Sequence, residues 1–338
     1  MWSASRCLAD PRVLVFSYSG FTNVPPQATN AIMLAPGLEQ LGVLRADGTP
    51  VFWSDRTIVM RTNLLAISLG YYDEYCRIQP DGRVFGGYEG NDYGRLFDTG
   101  VSNAVAITGH VPYVILRDDG AVTLTPTNNL PWSNIVAIAA ITVASPFSKS
   151  YIDGLKSDGT VVSWNDPFPV PPSLSNVVAI AAGNARLALK RDGTVTAWGD
   201  GAETNVPPGL SNIVAIAAYS EQGLALRQDG TVLSWGGTQV PPTLSNVVAI
   251  AVGPQCMVIV DPSPPPLLIS SAGVTNGLFQ VTVPTISGRV YCLEYAAALP
   301  ATNWTPLPLV AGNGRMRVLA DSTAVTGTGQ RFYRVRKW

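Results

Sequence analysis

Histidine is nearly absent from this chain of 338 residues: His110 stands alone. One histidine excludes His-rich metal sites and leaves room for at most one Ser/Cys-His arrangement. Charge is scarce too. Only 13% of residues are charged and the net charge is −1, a balance that argues against a nucleic-acid or membrane partner. No apolar run reaches the roughly 18 residues that span a bilayer. No G-x-S-x-G, Walker A, H-E-x-x-H or EF-hand loop occurs. The four cysteines, Cys7, Cys76, Cys256 and Cys292, are too scattered for a zinc site and read as buried thiols, although Cys7 and Cys256 could approach each other. The opening "MWSASRCLADPRVLVF" has no basic stretch followed by an apolar one, so no secretion signal is read there.

What the chain does have is glycine (32), proline (27) and 46% hydrophobic residues, the composition of a turn-rich all-β protein with a core. It also repeats itself. "LSNVVAIAAG" begins at Leu174, "LSNIVAIAAY" at Leu210 and "LSNVVAIAVG" at Leu244, intervals of 36 and 34 residues. Spacings of that size are the mark of a repeat architecture.

Degenerate copies extend the pattern backwards. The corner asparagine recurs at Asn30, Asn63, Asn103, Asn134, Asn176, Asn212 and Asn246. An Asp-Gly turn recurs at Asp47, Asp81, Asp119, Asp158, Asp192 and Asp229, with a broken seventh version at Asp10-Pro11. Asp-Gly between short apolar runs is a hairpin signal. The Pro-Pro pairs at 25–26, 171–172, 207–208 and 241–242 belong in connectors, because proline cannot donate to a ladder. Runs such as "VVAIAA" lack polar alternation and read as innermost strands buried on both faces. Seven such four-stranded units predict a seven-bladed β-propeller. The last copy stops after two strands and the N-terminal piece begins at the third, so together they complete one blade and close the ring.

The run "VAIAAG…LALKRDGTVTAWG" resembles the repeat of the regulator of chromosome condensation and its bacterial relatives, including the propeller-type β-lactamase-inhibitor protein. The resemblance covers about residues 1–260 and is strongest over 174–260. Its tryptophan slot holds Trp53, Trp164, Trp198 and Trp235, with Phe16 in the first copy; Gly87 and Thr125 depart from it. The histidine that the family often carries in the first loop of each repeat is missing here. The resemblance implies binding of another protein through loops on one face, rather than chemistry.

"DPSPPPLL" (261–268) is a Pro-rich break. The expected division is a propeller over 1–261, a linker over 262–268 and a small C-terminal β-sandwich over 269–338, built from "LFQVTV", "RVYCLEYAA", "RMRVLA" and "RFYRVRKW". The last segment resembles sandwich modules appended to exported proteins of environmental bacteria and reads as an attachment or spacer unit. An exported bacterial protein is what these resemblances imply; a monomer is expected.

With strands named a to d from the axis outward, the a–b and c–d loops share one face and the Asp-Gly turns the other. The first set carries Glu39, Asp73, Glu74, His110, Lys149, Asn184, Arg186 and Glu221, and the second carries Glu89, Asp92, Asp166, Asp200 and Glu203. That face is expected to be acidic, which repels phosphates and suits a basic protein surface or a cation. Two readings stay open. In one, a protein partner is recognised by Tyr88, Glu89, Asp92, Tyr93, Asp200 and Glu203. In the other, Glu39, Asp73, Glu74, Asn184 and Glu221 hold Ca²⁺ at the channel mouth, and the protein hydrolyses a lactone or ester with His110 and Glu74 as catalytic groups.

Overall fold

The computed structural model describes residues 12–338 except 18–19, 22, 39, 55–56, 61, 71–73, 89–95, 109–112, 126–127, 144–148, 201–203, 238, 262–266 and 324–329. Of residues 17, 20, 21, 74, 88, 96, 142, 143 and 149 it describes the backbone. Among the described residues, nine antiparallel sheets are formed. Seven of them are successive units of the repeat: residues 31–59, 66–98, 104–129, 135–164, 177–199 and 213–235, and a seventh that joins the two ends of the repeat region. In that seventh sheet Arg12–Ser17 pairs with Cys256–Val260, which pairs in turn with Val247–Val252. The inner strands touch their neighbours in a closed cycle, Val247–Val252 meeting Ala31–Pro36 across the closure. The result is a β-propeller, with each sheet a blade.

The two repeated signatures explain each other. Asn30, Asn103, Asn134, Asn176, Asn212 and Asn246 all have positive φ, between 52° and 58°. Asparagine tolerates that left-handed conformation better than other residues with a Cβ. The corner turned there frees the Asn carbonyl, which accepts an N–H at 2.8–2.9 Å from its own blade's Asp-Gly turn, or from Asp261 in the case of Asn246. The turn glycine in its own turn accepts from the next blade: Val177 N–H donates to Gly159, Ile213 to Gly193 and Val247 to Gly230, at 3.0–3.2 Å. Gly193 (φ 82°) is pressed so close that a Cβ there would lie 3.1–3.2 Å from the backbone of Asn212 and Ile213. The Asp closes the turn by accepting from both the N–H and the hydroxyl of the Thr two residues on, as in Asp192 with Thr194 at 3.0 and 2.6 Å. Those bonds hold the Asp158 and Asp192 carboxyls below their ordinary range.

Behind each corner, six of the seven inner strands carry a bulge at the second residue, for example between Val177 and Ala179. Of the extra residues, Val105, Val136 and Val178 are buried, whereas the counterpart Val248 is exposed.

The remaining two sheets form the C-terminal unit. One contains Ser271–Thr275, Leu278–Pro284 and Met316–Asp321; the other is centred on Val290–Ala296 and includes Phe332–Lys337. Val281, Val283, Tyr291, Leu293 and Leu319 fill the space between them, so the two sheets make a sandwich. This unit does not stand away from the ring as a spacer would. Val290, Cys292, Leu309, Ala311 and Trp338 join the same apolar core as the blade residues Leu187, Ile213 and Trp198. Leu309 N–H donates to the Ser157 carbonyl at 2.9 Å, and Arg317 pairs with Asp118 at 2.6 Å. Arg191 meets the buried Glu294 at 2.9 Å, and Glu294 also takes Arg334 at 2.7 Å. Ser157, Asp118 and Arg191 all sit at Asp-Gly turns. The sandwich therefore covers the turn face of the propeller at the blades of residues 104–129, 135–164 and 177–199.

Candidate functional site

Capping one face leaves the a–b and c–d loops as the other. Between the faces runs the central channel, about 440 Å³, lined by all seven inner strands. At the sandwich end Ile286, Ser287, Gly288 and Arg289 reach its wall, and the Ser287 hydroxyl donates to the bulge carbonyl of Val105. At the loop end it opens beside Gly37, Leu38, Gly70, Tyr219 and Pro254.

Of the residues expected to act on the loop face, Asn184, Asp200 and Glu221 are described with their side chains, and all three are exposed. Asn184 and Glu221 come from neighbouring a–b turns that are tied together, since Asn184 N–H donates to the Ser220 carbonyl at 2.7 Å. The Asn184 carbonyl accepts from Arg186 Nη1 at 2.8 Å. A guanidinium at that oxygen is an unfavourable neighbour for a bound cation. Glu74 and Tyr88 are not loop residues: they face each other across the strands Glu74–Ile78 and Val84–Tyr88. Glu39, Asp73, Glu89, Asp92, Tyr93, His110 and Glu203 lie outside the described residues. Among the described residues no group of three or more His, Cys, Asp or Glu converges as a metal ligand set.

Two expected loop charges prove to be buried instead. Arg186 is 2% exposed, and its guanidinium sits 2.8 Å from Asp166 and 3.6 Å from Asp153. It also donates to the Gly183 carbonyl and lies 5.3 Å from the Tyr151 ring centroid. The Asp166 contact is a charge contact without hydrogen-bond alignment. Asp153 is 1% exposed and accepts a short hydrogen bond from Ser163. Burial pushes its carboxyl up to about 6, against the pull of Ser163 and Arg186, with Asp166 adding to the rise. This triad spans the seam between the blades of residues 135–164 and 177–199, and Asp153 carries no motif of its own in the sequence. Comparing copies could have found it: Asp153 stands where the following repeats place Leu187, Leu224 and Met257. Burial of Arg186 together with Asp166 removes one charge of each sign from the loop face.

The three described cysteines, Cys76, Cys256 and Cys292, are buried and unpaired. Burial raises all three thiols, Cys256 to about 12. Cys7 lies outside the described residues.

No family model and no curated protein matches this chain. Solved structures do. The crystal structure of Kap60 bound to yeast RCC1 (Prp20) matches with a TM-score of 0.58 at 12% identity, over 74% of this chain and 88% of the matched one. The fold is an RCC1-like β-propeller. A second structure of Prp20p, from Saccharomyces cerevisiae and reported with its binding to Gsp1p and histones, gives 0.55 at 12% identity over 75% and 92% of the two chains. The CRINKLY WD40 ectodomain of the Arabidopsis thaliana receptor kinase ACR4 gives 0.53 at 13% identity over 82% and 97%. At these identities the likeness concerns fold. No described helix is long and apolar enough to cross a membrane.

Proposed function

We propose that this protein is a non-catalytic binding propeller that recognises a basic surface on a protein partner through its a–b and c–d loop face. One observation carries the reading: the C-terminal sandwich occupies the Asp-Gly face at three blades and makes none of these contacts on the loop face. The exposed Asp200 and Glu221 support an acidic character there. Glu89, Asp92, Tyr93 and Glu203 complete the proposed contact set, with Tyr88 at the end of the strand Val84–Tyr88 that leads into that loop. The binding of Gsp1p and histones named for Prp20p is in keeping with a propeller of this fold acting by binding.

The test places a photo-crosslinking residue at Asp200, at Glu221 or, on the capped side, at Asp192. Partner adducts are expected from the first two and not from Asp192, and the charge reversals Asp200→Lys and Glu221→Lys should weaken them in a salt-dependent manner. Equal adduct yield from Asp192, or indifference to both reversals, would overturn the proposal.

A further inference from the structure

We propose that the central channel is itself a ligand site, separate from the loop face, for a small hydroxylated monocarboxylate whose carboxylate pairs with Arg289 at the capped end. Arg289 is the only charged residue among the described residues lining the channel, and no Asp or Glu accompanies it. No carboxylate pairs with its guanidinium among the described residues, whereas Arg191, Arg317, Arg331 and Arg334 each have one; Lys337, the cation nearest in effect, also lacks an ion pair among the described residues.

Its surroundings are hostile to a lone cation. Burial lowers the Arg289 guanidinium from its ordinary range, and Lys337 is itself lowered by burial and then by the charge of Arg289. Yet Arg289 keeps part of its surface accessible and is among the residues that line the channel. A confined cation without a partner is costly, and an anion entering from the loop end offsets that cost.

The wall decides the rest of the ligand. Each inner strand ends its sheet and is paired on one side only, so a row of its N–H and C=O groups faces the channel. Ser68, Thr108 and Tyr219 add hydroxyls. Groups of this kind need hydrogen-bonding partners, which a hydroxylated molecule supplies and an aliphatic tail does not. The channel volume of about 440 Å³ exceeds what an inorganic anion fills and lies within the usual range of small-molecule sites.

The probe is glucuronate, titrated calorimetrically into the full chain beside glucose (the hydroxyls without the charge), hexanoate (the charge without the hydroxyls) and inorganic phosphate. Glucuronate should bind at one site, and Arg289→Gln should weaken it by about ten- to a hundredfold. Arg289→Lys should retain part of the affinity. Ala181→Leu, which narrows the channel wall with Arg289 intact, should also weaken binding, so a folding defect of one variant does not decide the matter. Absence of glucuronate binding, or binding untouched by both Arg289→Gln and Ala181→Leu, overturns the site. Glucose binding as well as glucuronate overturns the role of Arg289. Equal binding of hexanoate or phosphate overturns the role of the hydroxyls.

Discussion

Replacing Asp153 by Asn tests the buried triad through its dependence on pH. In the folded protein the Asp153 carboxyl titrates at about 6, against 3.8 when unperturbed. Between those values the folded state holds a proton that the unfolded chain has released. The contribution of Asp153 to stability is therefore full below 3.8 and is lost as pH rises through about 6. The gap corresponds to a change on the order of 3 kcal/mol. Asp158 and Asp192 act in the opposite sense and below that range: their lowered values give stability that is lost as pH falls. Comparison with Asp153→Asn cancels them, because both proteins carry them. Urea unfolding of the two proteins at about pH 4.5 and about pH 7.5 should show the variant gaining on the wild type by on the order of 2–3 kcal/mol as pH rises. A gap constant with pH, or one moving the other way, would refute the reasoning that burial dominates over the attraction of Arg186.

Four further outcomes are expected. Gly193→Ala combines a left-handed φ with contact against the next blade's corner, whereas Gly100→Ala has the strain and open space around it; the first should cost about 2–3 kcal/mol and the second about 1 kcal/mol in urea midpoints. Arg191→Glu places a second carboxylate beside the buried Glu294 at the seam between sandwich and ring, and should lower stability by roughly 3 kcal/mol in the same assay. Thiol labelling mapped by mass spectrometry should modify Cys76, Cys256 and Cys292 only after denaturation, since all three are buried and their thiols are raised. Added Ca²⁺ should leave the melting temperature where EDTA leaves it; a rise with calcium would place a specific ion in the native state and favour the calcium-dependent hydrolase over the binding reading.

The repeat was legible because its two signatures are local conformational demands. A left-handed corner selects Asn, a tight turn selects Asp-Gly, and both recur wherever a new blade begins. Ring closure was legible too, from complementary fragments at the two ends of the repeat. The sites were less so. Glu74 looked like a loop residue because strand ends are not marked in sequence, and Arg186 and Asp166 looked like surface charges because their burial depends on a partner blade.

The sequence by itself determined the blade, its turns and the phase in which the chain closes, since each rests on contacts between residues close in the chain or on a motif repeated at a regular interval. Only the tertiary structure decided which face is covered. The pairing of Arg191 with Glu294, the reach of Ser287 to Val105 and the placement of Arg289 on the channel each join residues roughly a hundred or more positions apart, with no repeated pattern to announce them. Burial and charge pairing at such separations are properties of the packed molecule, and they make one end of the propeller closed and the other available.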